Sequence, residues 1–282
     1  MTGSQRTIER LLPAVPASDG AGVRLKRSIG TASLDHLDPF LLLDQFDTEN
    51  AEDYIAGFPN HPHRGFETVT YMIDGRMRHQ DTLGGGGVLR SGGVQWMTAG
   101  RGIIHSEMPE QEDGLMKGFQ LWVNLPACDK MNAPRYQNIE PEDVPEVTHD
   151  NGAKIRVVAG SYDGVDGAVG KIAVEPLYVD VGLPAGGRVE IPVSAGHNAF
   201  LYPFEGVLMV RADGVARPVA DSEIAVLSDG KSVTLIGGDG GGRGILIAGR
   251  PIREPIARHG PFVMNTREEI MQAFQDYEAG CF

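Results

Sequence analysis

The chain has 282 residues, and its 38 acidic and 25 basic side chains give a net charge of −13 at pH 7. A chain of this length can form one large or two small domains with a substantial core. The acidic balance and the absence of a Lys/Arg run exclude a chain that binds nucleic acid by itself, because phosphate contacts need a concentrated basic surface. With 38 glycines and 18 prolines, the composition favours many short strands joined by turns.

Cysteine usage and the amino-terminal sequence bear on the compartment. Cys128 and Cys281 are the only cysteines and lie far apart, which is typical of a reducing compartment and not of a disulfide framework. Residues 1–10 are polar and lack the apolar core of a signal peptide, and no segment approaches the ~20 apolar residues of a membrane span. The sequence therefore predicts a soluble, cytoplasmic protein without a membrane partner.

Short β-rich segments follow one another through the first half of the chain. Residues 37–47 (LDPFLLLDQFD) predict a buried strand, because the apolar run is too short for most helices. From Phe66 the strand-like segments alternate with turns, and the Asp74-Gly75 pair is typical of a hairpin because type I′ turns demand positive φ. Residues 134–148 hold three prolines among acidic residues and are predicted to form an extended linker.

The second half repeats short strings of the first. YMIDG at residues 71–75 corresponds to YPFEG at 202–206, and MTAG at 97–100 corresponds to LSDG at 227–230. The two offsets nearly agree, so we predict a duplicated barrel. At these offsets proline and serine stand where the first half has two histidines, and the histidine nearby is His197. The second barrel is therefore predicted to have kept the scaffold and lost the metal.

One helix is predicted, at the carboxy terminus. Thr266 is a natural N-cap, and Glu269 completes a capping box three residues later. Ile270, Phe274 and Tyr277 recur on one face, so the helix is predicted to pack that face on the outside of the barrels.

Two clusters of imidazoles and carboxylates stand out: His61-Pro-His63 with Glu67 four residues later, and His105-Ser-Glu107. An H-x-H pair on a strand projects both imidazoles to one face, because strand side chains alternate with period two. If the two strands are neighbours, three imidazoles and one carboxylate converge on one point. Such a donor set suits a first-row divalent metal and leaves coordination positions open.

Four longer strings are more specific: HPHRGFETVTY (61–71), QWMTAGRGIIHSEMP (95–109), DPFLLLDQF (38–46) and GPFVMNT (260–266). Together they resemble the pirin family of two-cupin proteins over nearly the whole chain. The resemblance implies an all-β fold of two packed cupin-type jelly-roll barrels with a short carboxy-terminal helix. With the predicted linker, the domains are a metal-binding barrel over 1–133, the linker over 134–148 and a metal-free barrel over 149–282.

The identity of the carboxylate ligand separates two motifs. In the general cupin motif the glutamate after H-x-H binds the metal, which would be Glu67. The pirin resemblance instead implies His61, His63, His105 and Glu107 as ligands of one ion per chain. Both carboxylates lie an even number of residues from a histidine, so strand alternation permits either as a ligand. Glu67 could reach the metal only if the strand bends. Iron(II) is the metal that the resemblance favours, and manganese, nickel, copper or zinc also suits the donors.

His79 is predicted to lie on a strand next to the site, with two interpretations left open. It either contacts a ligand or lines the pocket, or it faces solvent.

The resemblance also implies a function. Some pirin-like proteins act as quercetin 2,3-dioxygenases, which cleave flavonols with dioxygen at a mononuclear 3-His-1-Glu site, and Glu107 is then the catalytic group that takes the proton of the flavonol 3-hydroxyl. The alternative is a non-enzymatic, iron-dependent regulator that binds a protein partner as a transcriptional or metabolic cofactor. A closed structural metal is a third interpretation. Oxygen uptake on addition of a flavonol discriminates among them.

Overall fold

The computed structural model describes residues 4–282. Strands predominate in this range, with one α-helix, α1 (Arg267–Glu278), and 3₁₀ helices at Ala51–Asp53 and Pro141–Asp143. The strands are β1 (Ile8–Pro13), β2 (Val15–Asp19), β3 (Val23–Ile29), β4 (Phe40–Thr48), β5 (Phe58–His63), β6 (Phe66–Asp74), β7 (Arg76–Asp81), β8 (Gly86–Arg90), β9 (Val94–Thr98), β10 (Ile103–Pro109), β11 (Met116–Asn124), β12 (Arg135–Ile139), β13 (Glu146–Thr148), β14 (Lys154–Ala159), β15 (Ser161–Tyr162), β16 (Val165–Asp166), β17 (Leu177–Leu183), β18 (Arg188–Pro192), β19 (Asn198–Ala212), β20 (Val215–Ala220), β21 (Glu223–Leu227), β22 (Ser232–Gly249), β23 (Ala257–His259) and β24 (Phe262–Met264). The prediction of an all-β fold with a short carboxy-terminal helix is confirmed. No helix in residues 4–282 is both long and apolar enough to cross a membrane.

The described chain divides into two compact units. Each unit includes the terminal segment from the opposite end of the chain. The first barrel comprises residues 16–142 and 252–282, and the second comprises residues 4–15 and 143–251. This division differs from the predicted one, because β1 pairs with β21 and the tail from residue 252 belongs to the first barrel. The predicted linker also contains paired backbone: β12 adds to β9, and β13 adds to β14. Composition suggested a linker there, but backbone hydrogen bonding made both segments edge strands.

The first barrel consists of two sheets with the apolar core between them. The larger sheet has the order β12-β9-β6-β11-β4-β3-β2, and the smaller has the order β5-β10-β7-β8. Phe46 and Met72 from the larger sheet pack with Met77 and Leu89 from the smaller. The prediction of a buried strand around residues 37–47 is confirmed by β4, seven of whose nine residues are buried.

The second barrel has the same strand order as the larger sheet of the first. Its sheet runs β1-β21-β19-β22-β17-β14-β13, so β19 occupies the place that β6 has in the first barrel. Tyr71 and Tyr202, the matched tyrosines of the repeat, lie on these two corresponding strands. Valine, leucine, isoleucine and alanine side chains, together with Tyr162, fill the core of the second barrel. The predicted duplication therefore agrees with the topology of each barrel.

The tail of the first barrel forms the β23–β24 hairpin and α1. Thr266 Oγ1 accepts a hydrogen bond from the Glu269 amide, and the Glu269 carboxylate accepts one from the Thr266 amide, so the predicted capping box is confirmed. Ile270 is buried against the hairpin, and the Phe274 ring lies 4.8 Å from that of Phe262. The apolar face of the helix thus packs on its own hairpin.

Candidate metal centre

The two predicted ligand strands are neighbours. Strands β5 and β10 pair antiparallel, with His61 opposite His105 and His63 opposite Ile103. Because His63 follows His61 by two residues, both imidazoles lie on the sheet face that His105 shares. The H-x-H spacing therefore works together with the strand register to collect three imidazoles.

The three imidazole rings form a tight cluster. Their centroids are 4.6 Å apart for His61 and His63, 4.4 Å for His61 and His105, and 5.0 Å for His63 and His105. One nitrogen from each ring lies within 4.8 Å of the others, and no second group of this kind occurs in residues 4–282. The prediction that these three residues meet is confirmed.

Hydrogen bonding prepares the ring nitrogens for coordination. His61 Nδ1 lies 2.8 Å from the Pro59 carbonyl oxygen, which can only accept, so Nδ1 carries the proton and Nε2 keeps its lone pair. That Nε2 is 3.0 Å from His63 Nε2. Both ring nitrogens of His105 are buried without a hydrogen-bond partner among the described residues. A buried, unpartnered nitrogen is costly unless a ligand satisfies it, so the cluster fits a metal ion.

Burial keeps the deeper imidazoles neutral. It lowers the pKa of His63 well below its usual range, with His105 and His61 adding in the same direction. Burial likewise lowers the pKa of His105, and His61 and His79 add to the shift. Neutral imidazole is the form that binds metal, so at neutral pH no proton has to be displaced from these two rings.

Glu107 lies beside the cluster but outside the group of three. It is two residues from His105 on β10, and its carboxylate borders the same cavity as His61 and His63. Gln120 donates to its Oε2 over 3.3 Å, and the Thr70 hydroxyl lies 2.9 Å from its Oε1. Burial raises the pKa of Glu107, while His61, Thr70 and Gln120 act against that rise. The carboxylate is thus held in place by two polar side chains in a buried environment.

Glu67 is directed elsewhere. It lies on β6, beyond the turn at Gly65, where the Thr98 hydroxyl donates to its Oε1 over 2.6 Å. Thr70, three residues farther along the same strand, contacts Glu107. Residues an odd number apart on a strand face opposite sides, so Glu67 lies on the other face of the sheet from Thr70.

His79 is buried, so its solvent-facing interpretation is wrong. On β7 it stands opposite Glu107 of β10, and its ring lies 5.3 Å from that of Tyr136. Burial lowers the pKa of His79, and both its nitrogens are without a hydrogen-bond partner in the described residues. His79 therefore belongs to the interior next to the metal cluster.

A cavity of about 600 Å³ leads from the surface to the histidines. Its buried end holds His63 and Glu107, and its exposed end holds Asp19 and Arg258. The residues that line it are Asp19, Gly20, Ala21, Leu25, Leu42, Asp44, Phe46, Phe58, Pro59, Asn60, His61, His63, Glu107, Gln120, Trp122, Arg258, Gly260 and Pro261. Apolar wall surface from Phe46, Phe58 and Trp122, with polar side chains that can orient a ligand, is typical of a small-molecule site.

Sequence reasoning missed the partners of the carboxylate and the cation at the cavity mouth. Thr70 and Gln120 are polar residues within largely buried strands, and that was the available signal. Arg258 carried no signal, because it reaches the cavity from the carboxy-terminal tail.

The same tail supports the strand that carries the H-x-H pair. The Val263 amide donates to the Arg64 carbonyl over 3.0 Å, and the Arg64 guanidinium pairs with Asp276 at 2.7 Å. The buried ammonium of Lys130 donates to the carbonyls of Gly65 and Val263. These contacts fix the chain directly after His63.

Comparisons with known proteins agree with this fold. The pirin family model matches residues 22–123, and the model of the pirin C-terminal cupin domain matches residues 178–282. A pirin-like protein of Caulobacter vibrioides is 50% identical over 278 residues, which is 98% of this chain and 99% of that protein. Human pirin is 41% identical over 277 residues, which is 98% of this chain and 93% of that protein.

A solved structure is also similar over its full length. The crystal structure of quercetin 2,3-dioxygenase from Acinetobacter baumannii superimposes with a TM-score of 0.89 at 33% identity, covering 99% of both chains. Both family models, the two relatives and the duplicated cupin topology lead to one conclusion. The chain belongs to the pirin family.

Proposed function

We propose that this protein is a metal-dependent dioxygenase of the quercetin 2,3-dioxygenase type. The ligands of the ion would be His61, His63, His105 and Glu107, with iron(II) as the metal. The substrates would be a flavonol and dioxygen. The observation that carries the proposal is the cluster of three imidazoles at the inner end of a cavity whose walls include Phe46, Phe58 and Trp122. The similarity to a solved quercetin 2,3-dioxygenase supports the choice of reaction.

A metal held by these side chains would supply a Lewis acid for the substrate oxygens and a route for electrons to dioxygen. The chain itself provides the proton acceptor. Glu107 takes the proton of the flavonol 3-hydroxyl at a carboxylate oxygen.

Thr70 can stabilise both protonation states of Glu107. Its hydroxyl lies 2.9 Å from Glu107 Oε1 and 2.7 Å from Gln120 Oε1, and its single proton serves one of these acceptors at a time. While Glu107 is ionised, Thr70 donates to it. Once Glu107 holds the substrate proton, Thr70 donates to Gln120 and accepts from Glu107. The network therefore rearranges by rotation of one hydroxyl.

Oxygen uptake tests the activity. Protein purified without added metal is loaded with iron(II) and mixed with quercetin in an oxygen-electrode cell. The wild type is expected to consume oxygen in proportion to flavonol, and Glu107→Gln, which keeps the shape and removes the proton acceptor, is expected to lose at least about 100-fold in kcat. Glu67→Gln is the matched control and should retain most of the rate, because its partner is Thr98.

An iron-loaded wild type that binds flavonol but consumes no oxygen would overturn the catalytic proposal. That result would instead support the regulatory alternative, in which binding to a protein partner depends on the state of the metal. Cytoplasmic localisation stays a prediction from the sequence. Cys128 and Cys281, both free and exposed, are compatible with it.

A further inference from the structure

A cationic side chain, Arg258, lies at the mouth of the metal cavity, and the proposed reaction assigns it no role. Arg258 lies on β23 in the tail, is exposed, and lines the cavity that ends at His63 and Glu107. Its guanidinium donates one hydrogen bond, to the Leu41 carbonyl at 3.2 Å. Within residues 4–282 no carboxylate pairs with it at 4.0 Å or less. A guanidinium has five N–H donors, so most of them remain available to a ligand.

The neighbouring arginine, Arg27, is already paired with carboxylates. Arg27 donates twice to Asp44, over 2.7 Å each, and once to Asp19 over 2.8 Å. Both aspartates that line the cavity are therefore engaged by Arg27. Arg258 is left as the cavity cation that an incoming anion can reach.

Arg258 is also held at a defined distance from the metal cluster. Its guanidinium carbon lies 4.8 Å from the centroid of the Trp122 ring, in cation–π geometry. The Trp122 ring in turn lies 5.2 Å from that of His63. These two contacts place the guanidinium no more than about 10 Å from the His63 ring. A ligand that chelates a metal at the histidines can extend along Trp122 to Arg258.

We propose that Arg258 is a specificity-determining residue that selects aromatic substrates with a carboxylate at the end remote from their chelating oxygens. A carboxylate matches the planar fork of a guanidinium and forms charge-assisted hydrogen bonds with it. Trp122 contributes the flat surface on which the aromatic part stacks. This inference rests on the proposed function for its chelating end, and it goes further by assigning the opposite end of the substrate.

Direct binding tests the inference without turnover. A flavonol that carries a carboxylate on the ring remote from the 3-hydroxyl is compared with its methyl ester, by calorimetric titration of anaerobic, iron-loaded protein. The wild type is expected to bind the carboxylate about tenfold or more tightly than the ester. Arg258→Gln, which keeps a hydrogen-bond donor and removes the charge, is expected to bind both alike. Arg258→Lys should retain part of the preference, because it keeps the charge and loses the fork.

Arg267→Gln is the matched control. Arg267 is exposed in the same tail, does not line this cavity, and loses the same charge on substitution. It is expected to behave like the wild type. Equal binding of acid and ester by the wild type would overturn the inference even if no variant folded, and so would a preference that survives in Arg258→Gln. Failure of oxygen uptake with both ligands would overturn the proposed reaction and leave the binding result intact.

Discussion

Substituting Gly65 by alanine probes whether the tail holds the metal-binding strand in place. Gly65, two residues after His63, adopts φ +87°, and a Cβ there would overlap the Val263 carbonyl oxygen. Gly84 is a matched control, because it adopts φ +89° in an exposed hairpin and a Cβ there meets nothing within 4 Å. Both alanines incur the same backbone strain, and only one meets the tail.

The expected losses in the free energy of unfolding follow from the backbone strain at positive φ and from the steric overlap with the tail. Positive φ costs an L-residue about 1–2 kcal/mol, so Gly84→Ala should lower the free energy of unfolding by that amount. Gly65→Ala adds overpacking of about 1–3 kcal/mol. Relief of the overlap would also lengthen buried hydrogen bonds of about 1 kcal/mol each, which Gly65 makes with Gly100 and Lys130. We therefore expect Gly65→Ala to cost at least about 2 kcal/mol more than Gly84→Ala.

Urea denaturation followed by tryptophan fluorescence is the assay. Both tryptophans, Trp96 and Trp122, belong to the first barrel, so the signal reports the unit that contains the site. Gly65→Ala is also expected to lower iron occupancy, because Gly65 follows His63 by two residues. If the two variants lose the same stability within about 0.5 kcal/mol, the tail does not constrain this turn and the reasoning fails.

Further predictions concern ionisable groups. In iron-free protein, His63 and His105 have folded pKa values below the unfolded value of about 6.5, so the unfolded chain binds more protons as pH falls below 6.5. The free energy of unfolding should therefore fall on acidification by up to about 1.4 kcal/mol per pH unit for each histidine. If the free energy of unfolding stays constant from pH 7 to 5, the two histidines are not buried as neutral rings. Elemental analysis should find stoichiometric iron in Glu67→Ala and little in Glu107→Ala, and the reverse pattern would support the general cupin assignment. Lys130→Met leaves three buried acceptors without their donor and should cost at least about 3 kcal/mol in urea denaturation, whereas a cost below 1 kcal/mol would show that the ammonium contributes little.

Local patterns determined much of this protein in advance. Period-two alternation placed both imidazoles of the H-x-H pair on one strand face, and this holds for any strand with that spacing. The capping box and the apolar face of α1 likewise follow from residues within one helical turn or two. The duplicated order of strands was readable because short strings recur at a nearly constant offset.

Strand pairing and the turn at Gly65 determine which of the two glutamates, Glu67 or Glu107, lies beside the histidines. Both glutamates lie at even spacings from a histidine, so the sequence permitted either as a ligand. The structure begins a new strand after Gly65, and this turns the Glu67 side chain to Thr98 on the opposite sheet face from Thr70. His79 is buried for a related reason, because the register of β7 with β10 sets it opposite Glu107. Register depends on hydrogen bonds between distant segments, which no local pattern contains.

Only the tertiary structure revealed the exchange of chain ends. A terminal segment carries a hydrophobic pattern that fits either barrel, and the available sheet edge and groove decide where it pairs. The amino-terminal β1 adds to β21 of the second barrel, whereas the tail from residue 252 returns to the first. That return brings Arg258 to a cavity whose histidines lie more than 150 residues earlier in the chain. Composition and periodicity are properties of neighbouring residues, so they determined the strands, the helix and the metal-binding pair, while contacts between distant segments determined what surrounds the metal.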